Sequence, residues 1–365
     1  MENREKTVQQ FKCPCCSGAI EFDTNLQKMK CPFCDTEFDL DTLKQFDETM
    51  NEEQPDHMDW KADSKTWAAS EASEMKTYVC QACGGEILVE ASAAAAFCPY
   101  CGNPVVLEGN VSGELRPDLV IPFKLSKEDA IRAMEQHLSK KKLLPKVFKD
   151  ENHLQEIKGI YAPFWLYGAD CKTGVRCRAM RVNCWSDSRF NYTETSHFLV
   201  FRQGSLSFSH VPVDGSTRMP NDLMESIEPF DYRDAVDFKT AYLSGFFADR
   251  YNESAADCEN RVNERIKNST QSAVMSTIVG YSSVVPENTS VQMTAGKTLY
   301  ALLPVWILRT EWNGKQYLFA MNGQTGKFVG DLPMDRGAYH RWLWGLTGAV
   351  SAGIIGLSLL IHFLF

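Results

Sequence analysis

Two stretches of the sequence share one cysteine spacing, and this spacing decides much of the fold. Residues 13–34 read CPCCSGAIEFDTNLQKMKCPFC, and residues 80–101 read CQACGGEILVEASAAAAFCPYC. In each stretch two CxxC pairs are separated by fourteen residues. Two such pairs supply four thiolates at the corners of a zinc tetrahedron, with no position left open. The spacing therefore predicts two small β zinc ribbons, each with one structural Zn²⁺. The predicted ligands are Cys13, Cys16, Cys31 and Cys34 in the first ribbon, and Cys80, Cys83, Cys98 and Cys101 in the second.

The residues around these cysteines are typical of ribbons. Gly18 and Gly84 follow the first pair of each ribbon, where the backbone must turn tightly around sulfur. Ile87 and Val89 alternate with polar residues, as in a half-buried strand. The spacing alone leaves an iron–sulfur cluster, a redox dithiol or coincidence as alternatives. A closed metal site offers no coordination place to a substrate, so no catalysis at the metal is expected.

The net charge of −9 is concentrated between the two ribbons. Residues 35–76 hold 13 Asp and Glu against 4 Lys, and the remaining residues balance. This pattern predicts a solvated acidic linker and disfavours nucleic acid as a partner, since phosphates are bound by Lys and Arg. The polar N-terminal sequence predicts no secretory signal, so the thirteen cysteines indicate metal binding in a reducing compartment.

The C-terminal sequence predicts one transmembrane helix. From Trp342 to Phe365 there are 24 residues without Asp, Glu, Lys or Arg. As a helix they would extend about 36 Å, enough to cross a bilayer core of about 30 Å. Arg336 and Arg341 precede this segment, which predicts a single-pass anchor in the cell membrane with the N-terminal bulk in the cytoplasm. A buried core helix is the alternative. A stripe of small residues predicts close packing against another helix in the membrane: Gly345, Ala349, Gly353 and Gly356.

Residues 115–335 are predicted to form one α+β middle domain. Ser126 and Asp129 indicate a capping box at the start of a helix with Ala130, Ile131, Met134 and Leu138 on its apolar face. A second helix is predicted from Glu253 to about Lys267, with Asn252 as its cap. The predicted strands are Ile160–Leu166, Phe198–Phe201, Leu299–Thr310 and Gln316–Met321, with a hairpin turn at Asn322–Gly323 and a short strand at Lys327–Val329.

The middle domain also shows signs of internal duplication. VIPFKLSKEDA followed by IYAPFWLYGADC is echoed by YLSGFFADRYNESAA followed by LLPVWILRTEW. Each half would supply a strand, a helix and a Pro-x-Trp strand with its hairpin. The predicted fold class is therefore α+β: two β zinc ribbons (8–40 and 77–108), an acidic linker (41–76), the middle domain (115–335) and the C-terminal transmembrane helix (341–365).

We find no catalytic motif in the sequence. HExxH, GxSxG and GxGxxG do not occur, and GQTGK at 323–327 lacks the spacing of a phosphate-binding loop. A further metal site is conceivable among residues that lie near one another in the predicted strands: His197, His210, Cys171, Cys177 and Cys184. Trp60 and Trp67 could form one face of a short docking helix or pack onto the body of the protein.

Taken together, these segments resemble a known family. CQACGGEILVEASAAAAFCPYCGNPVV, IYAPFWLYG and LPVWILRTEWNGKQYLFAMNGQTGKFVGDLP, with the terminal apolar helix, are similar to bacterial membrane proteins with a transcription-factor-IIB-type zinc ribbon. Such proteins are often labelled primosomal or helicase-like, but no helicase motif is present here. The resemblance covers nearly the whole chain, AMNGQTGKFVGDLP being its most specific part. It implies that the eight cysteines named above bind zinc, and that the protein acts beside SPFH-type (stomatin-like) or phage-shock-type membrane-stress proteins.

These observations lead to one expected function and two alternatives. We expect a non-enzymatic, membrane-anchored zinc-ribbon adaptor or scaffold that recruits cytoplasmic proteins to the bilayer. The first alternative is a membrane-tethered nucleic-acid-binding regulator, which would need a basic face that the sequence does not show. The second is an uncharacterised enzyme in the middle domain, which a deep pocket with convergent polar groups would favour.

Overall fold

The computed structural model describes residues 11–16, 18–44, 58, 60–62, 65–92, 97–111, 115–149, 154 and 156–364. Residues 45–57, 59 and 63–64 of the predicted acidic linker, and residues 8–10, 17 and 93–96 of the predicted ribbons, lie outside these ranges. The described chain is mixed α+β, as the sequence predicts, with two groups of four cysteines and an apolar C-terminal helix. Its α-helices are α1 Ala69–Ser73, α2 Lys127–Ser139, α3 Asn221–Ser226, α4 Glu259–Ser276 and α5 Arg336–Leu364, with a further helical turn at residues 40–44.

The strands range from two to thirty residues. They are β1 Glu21–Asp23, β2 Lys28–Lys30, β3 Glu37–Phe38, β4 Lys61–Ala62, β5 Lys65–Thr66, β6 Met75–Cys80, β7 Glu86–Glu90, β8 Val105–Asn110, β9 Leu115–Arg116, β10 Leu119–Val120, β11 Lys158–Ser186, β12 Asn191–Asp214, β13 Val236–Asp237, β14 Phe247–Asp249, β15 Ser283–Trp312, β16 Lys315–Asn322 and β17 Phe328–Gly330. The 3-10 turns are Lys146–Lys149, Tyr232–Asp234 and Thr240–Leu243.

The chain divides into two compact units, each made of three stretches of sequence. Unit 1 comprises Met1–Lys61, Tyr167–Val211 and Glu259–Lys297, and unit 2 comprises Ala62–Leu166, Pro212–Cys258 and Thr298–Phe365. This division differs from the contiguous domains expected from the sequence, because the long strands β11, β12 and β15 each contribute residues to both units.

The centre of unit 2 has the symmetry that a duplicated sequence would produce. The strand order is β10, β15, β11, β14, and both outer pairs are parallel: Leu119 lies opposite Ala301, and Ile160 lies opposite Phe247. Thus the short strand of each sequence half pairs with the long Pro-x-Trp strand of the other half. The order strand, helix, long strand, antiparallel strand also occurs twice along the chain, in β10–α2–β11–β12 and in β14–α4–β15–β16. This arrangement supports the predicted duplication.

Helix α2 is formed as the sequence predicts. The Ser126 side chain accepts a hydrogen bond from the Asp129 backbone, and the Asp129 side chain accepts one from the Ser126 backbone. This reciprocal pair satisfies two backbone donors that the first turn would otherwise leave unpaired. The four predicted apolar residues of the helix are all buried, and they pack against Trp306, Leu308 and Phe319 in a core cluster of unit 2.

The second predicted helix begins later than expected. Helix α4 spans Glu259–Ser276, whereas the sequence predicts Glu253 to about Lys267. Asn252 does not cap it, because the Asn252 side chain accepts a hydrogen bond from the Thr217 backbone and donates one to the Thr217 hydroxyl. Ser254 and Asp257 instead close a separate turn through their side chains. Residues 254–258 thus form a separate turn before α4, in which the Cys258 amide also donates to the Ser254 carbonyl.

The predicted strands are all present: Gln316–Met321 matches β16 closely, Lys327–Val329 is shifted by one residue to β17, and the other three are parts of much longer strands. Ile160–Leu166 lies within β11, Phe198–Phe201 within β12, and Leu299–Thr310 within β15. The hairpin at Asn322–Gly323 is confirmed, since β16 pairs antiparallel with β17 and Ala320 lies opposite Val329. In unit 1 the same long strands and helix α4 enclose a small core: Val175, Cys177, Ala179, Val200, Val274 and Ile278.

Candidate metal centres

The first group of cysteines lies in unit 1, beside the three-stranded sheet β1–β2–β3. Cys13 and Cys16 precede β1, and Cys31 and Cys34 lie between β2 and β3. The Sγ atoms of Cys13 and Cys34 are 3.6 Å apart, and those of Cys16 and Cys31 are 3.4 Å apart. Each CxxC turn is closed by its own backbone, since the Cys13 amide donates to the Gly18 carbonyl and the Cys31 amide to that of Thr36. The local sequence therefore aims all four thiols at one point.

The second group repeats this geometry in unit 2. The Sγ atoms of Cys80 and Cys101 are 3.3 Å apart, and those of Cys83 and Cys98 are 3.7 Å apart. Gly84 and Gly102 adopt positive φ angles of 68° and 73°, a conformation that costs glycine little and larger residues more. Their amides donate to the carbonyls of the first cysteine in each turn, Cys80 and Cys98.

Both groups fit a tetrahedral metal ion. In each, the four sulfur atoms lie within 4.8 Å of one another, and none of the thirteen cysteines is in a disulfide. A zinc–sulfur bond of about 2.3 Å places tetrahedral sulfurs about 3.8 Å apart, close to the separations found here. Hydrogen bonds from Thr36 lower the pKa of Cys34 to about 6. At Cys101, burial raises the pKa, but hydrogen bonds from Asn103 and neighbouring thiols bring it down to about 6.

The second group is built into the core of unit 2 and not into an independent module. Strand β7, between its two CxxC turns, pairs with β14, so that Leu88 lies opposite Ala248. Cys80 and Cys98 have no exposed surface and belong to the main core cluster, together with Ile160 and Phe164. The segment that carries the second cysteine group is therefore an integral edge of the unit 2 sheet, a relationship that the spacing of its own residues does not reveal.

Two arginines from distant parts of the chain bind the turns of the second group. Arg218 donates to the Gly84 carbonyl at 3.4 Å and also pairs with the buried carboxylate of Asp249. Arg309 donates to the carbonyl of Cys101 itself. Each CxxC turn is thus bonded to a guanidinium of the surrounding domain. The sequence analysis missed both residues, since no local pattern links either arginine to a cysteine turn.

One arginine also contacts the first group. Arg176 of β11 donates to the Pro14 carbonyl at 3.0 Å, and its guanidinium lies 3.4 Å from the Glu287 carboxylate. Residues of the ribbon and of the long strands line a cavity of about 860 Å³ in unit 1, among them Phe38, His197 and Phe201. The first ribbon is thus bonded to the strands of its own unit.

The other residues considered as metal ligands do not form a site. Within the described ranges, the groups of three or more possible ligands that come together are the two cysteine quartets. Cys177 is buried against Met275, with 3.3 Å between the sulfur atoms, and Cys184 lies beside the Thr193 hydroxyl. Trp60 and Trp67 pack edge-on against Tyr167 and Phe238 respectively, each within its own unit, as the second interpretation of these tryptophans predicts.

Helix α5 is long and apolar enough to span a membrane. The candidate span is Arg336–Leu359; its most apolar stretch has a mean hydropathy of 1.5, and none of that stretch is buried. The predicted packing stripe is exposed, and open space surrounds Gly345, Gly353 and Gly356. An apolar helix that the rest of the protein does not cover has the length and composition expected of a transmembrane segment. Packing of its small-residue stripe against another helix stays a prediction.

Comparison with known proteins identifies a sequence relative of this chain. No family model matches the chain, and no solved structure matches it. The uncharacterized protein YdjG of Bacillus subtilis (strain 168) is 35% identical over 255 residues, which cover 70% of this chain and 75% of YdjG. Identity at this level over three quarters of the relative shows common descent, and the chain therefore belongs to the family of YdjG.

Proposed function

We propose that the protein is a membrane-anchored zinc-ribbon adaptor, which holds cytoplasmic proteins of the SPFH or phage-shock type at the bilayer. The observation that carries this proposal is the presence, in one chain, of two closed cysteine quartets and an uncovered apolar helix. The quartets would act as structural metal sites, and the helix would attach the protein to the membrane. The type of partner comes from the family resemblance of the sequence.

Zinc is the metal that the quartets suit best. Four thiolates in a tetrahedral arrangement are typical of structural zinc, which needs no open coordination position. A zinc ion with four thiolates carries a net charge of −2, and the guanidinium groups of Arg218 and Arg309 bind the backbone beside the second quartet. A cation near each turn reduces the electrostatic cost of placing that charge in the core. Bound zinc would hold the two turns together and supply no reactive water.

Helix α5 would form the anchor. The exposed side chains of Trp342 and Trp344 lie near its start, where tryptophan favours the membrane interface. Arg336 and Arg341 lie on the same side, which favours an orientation with the N-terminal bulk in the cytoplasm under the positive-inside rule. This orientation also agrees with thirteen cysteines that form no disulfide, as expected in a reducing compartment.

The surface of the second ribbon is where we place the partner protein. Phe97, Val106 and Leu107 are large apolar residues with about half of each side chain exposed. Phe97 forms a β-bridge with Pro104, the residue immediately before β8, and Val106 and Leu107 lie on β8 itself. Strand β8 pairs with β6 and stands last in the strand order of the sheet within the described residues. Large exposed apolar residues at a sheet edge favour contact with another protein.

The attachment of this ribbon to the sheet changes how an adaptor would work. Glu71 of α1 and Arg116 form a double hydrogen bond, with both distances 2.9 Å, and the Thr240 hydroxyl bonds Glu74. The segment just before the second ribbon is therefore fixed to unit 2. The docking surface is presented rigidly by the sheet and does not reach out on a flexible arm.

The test is affinity purification of the full chain from gently solubilised bacterial membranes, with identification of the proteins that accompany it. We expect one or two membrane-stress proteins with the wild type, and their loss with Leu107→Glu. Val279→Glu is the matched control, because it also places a carboxylate on an exposed apolar position. Partners retained equally by both variants would place docking elsewhere. Recovery that depends on intact nucleic acid would contradict the adaptor function and favour the regulator.

A further inference from the structure

The hairpin formed by β11 and β12 ends in a segment that is exposed on both faces. Residues 171–180 of β11 are mostly buried in unit 1, whereas every residue from 181 to 195 is exposed. We call residues 181–195 the hairpin tip. A two-stranded ribbon with both faces in water has little to stabilise it, so the side chains that it presents require a physical explanation.

Three aromatic side chains of the hairpin tip form one cluster. Trp185 and Tyr192 stack with their ring centroids 5.5 Å apart and an interplanar angle of 13°. Phe190 packs edge-on against Tyr192 at 6.3 Å. Phe190 remains 63% exposed and Trp185 51% exposed despite these contacts. The cluster is therefore preformed, and most of its apolar surface is still available.

The turn beneath this cluster has its polar groups paired internally. The Asp187 carboxylate accepts hydrogen bonds from the backbone amides of Arg189 and Phe190, both at 2.7 Å, and from the Tyr192 hydroxyl at 3.0 Å. The Asp187 amide donates to the Phe190 carbonyl at 2.9 Å. Burying an unpaired polar group is costly, and these bonds reduce that cost for a turn that leaves bulk water.

The hairpin tip holds two arginines and two acidic residues, so its net charge is zero and it does not select a strongly charged partner. These residues are Arg181, Asp187, Arg189 and Glu194. Arg181 donates to the Gly280 carbonyl and lies over the rings of Phe198 and Tyr281, so it belongs to the base of the tip. Asp187 is used in the turn, as described above. Arg189 extends from the turn itself, beside the aromatic cluster, on a long side chain that can keep its charge in water while the stem is buried.

We infer that the hairpin tip inserts its aromatic cluster into the interfacial region of a lipid bilayer. Trp, Tyr and Phe in one exposed cluster suit the headgroup region, because tryptophan and tyrosine combine an apolar ring with a polar edge. Arg189 would meet lipid phosphate. The inference rests on the membrane anchor of the proposed function, because a chain held by its own transmembrane helix keeps a bilayer within reach at high effective concentration. The tip is thus a second, shallow membrane contact of unit 1.

The experiment places a photoreactive side chain on the tip of the full-length protein. Phe190 is replaced by p-benzoylphenylalanine, which keeps an aromatic ring at this position. Phe22, on β1 of the first ribbon and 51% exposed, receives the same residue as a control. Membranes that contain each protein are irradiated, and the products are analysed by intact mass. We expect a mass shift of one phospholipid at position 190, its absence at position 22, and its loss at position 190 when Trp185→Ser and Tyr192→Ser are added.

Each other outcome has a definite meaning. A cross-link from position 190 to a polypeptide would overturn the inference and identify the cluster as a protein contact. Absence of any adduct, in a chain that remains in the membrane after carbonate washing, would overturn it while leaving the anchor intact. A chain released by that wash would instead count against the anchor. The same labelling with added phosphatidylcholine vesicles would then test whether the hairpin tip contacts lipid. Lipid adducts at position 190 would support the inference, and their absence would overturn it.

Discussion

Arg218 and Asp249 form a buried ion pair that connects the second cysteine quartet to the core of unit 2. The two side chains are 9% and 1% exposed, and Nη1 lies 2.5 Å from Oδ1. Asp249 also accepts a hydrogen bond from the Ser216 hydroxyl at 2.7 Å, and Arg218 donates to the carbonyls of Arg250 and Gly84. Because Asp249 lies on β14, opposite Ile87 of β7, one ion pair spans the junction between ribbon and sheet.

We expect Asp249→Ala to destabilise unit 2 strongly. The substitution leaves the Arg218 guanidinium buried without its counter-ion, which typically costs about 3–5 kcal/mol. The double variant Arg218→Met with Asp249→Leu should be more stable than Asp249→Ala, because no unpaired charge remains. Urea unfolding of the full chain in mild detergent measures both. If Asp249→Ala unfolds at the wild-type urea concentration, the pair does not contribute to the junction.

We expect Arg309→Met to accelerate loss of zinc from the second quartet. Arg309 donates to the Cys101 carbonyl, and without this bond the second CxxC turn is held less firmly. Groups that support metal ligands typically change metal affinity by about 10–100-fold when they are removed. Competition with a chromophoric chelator would show one of two bound ions becoming labile. Arg132→Met is the control, since Arg132 is exposed on α2 and pairs with Asp129 of the same helix, far along the chain from either quartet. Equal release rates in both variants would contradict the role of Arg309.

The sequence predicts those parts of the molecule whose causes are local. The CxxC spacing is fixed by the geometry of one turn around one metal, and the quartets come together as predicted. The capping box of α2 is likewise formed by residues three apart, Ser126 and Asp129. The predicted duplication also rests on a local repeat, because Pro163 and Trp165 of β11 recur as Pro304 and Trp306 of β15.

The sequence does not predict contacts that depend on the tertiary fold. The pairing of β7 with β14 joins residues about 160 positions apart, and no pattern near Ile87 specifies Asp249 as its neighbour. The lengths of β11 and β12 were underestimated because their outer residues are polar or exposed and lack the alternation of a half-buried strand. For the same reason the aromatic cluster of Trp185 and Tyr192 was not recognised.

We expect Tyr161 to remain un-ionised until strongly alkaline pH. Tyr161 is buried against Phe123 and Phe246, and this burial raises its pKa to about 12 from the ordinary value of 10.0. A group with a raised pKa in the folded state stabilises the protein fully below pH 10, and this stabilisation is lost as pH rises from 10 toward 12. The loss amounts to roughly 1.4 kcal/mol per pH unit.

Tyr161→Phe tests this by removing the hydroxyl and keeping the ring. The difference in phenolate absorbance between wild type and variant should be absent at pH 10 and should develop near pH 12. The variant should also lose less stability than the wild type over this interval. A phenolate difference already complete at pH 10 would show that the Tyr161 hydroxyl is accessible to water in the folded protein.

We expect Gly353→Ile to weaken association of the protein in the membrane. Gly353 lies in the small-residue stripe of α5, and open space surrounds it within the chain, so a second helix could approach its backbone closely. An isoleucine would hold that helix away, and a tenfold fall in the association constant corresponds to about 1.4 kcal/mol of lost packing. Ser351→Ile is the matched control, because Ser351 is also exposed on α5 but lies outside the stripe. Energy transfer between labelled chains in vesicles, measured over a range of protein-to-lipid ratios, gives the association constant for each. A smaller constant for Gly353→Ile alone would assign the stripe to helix packing, whereas equal constants for the two variants would leave α5 as a simple anchor.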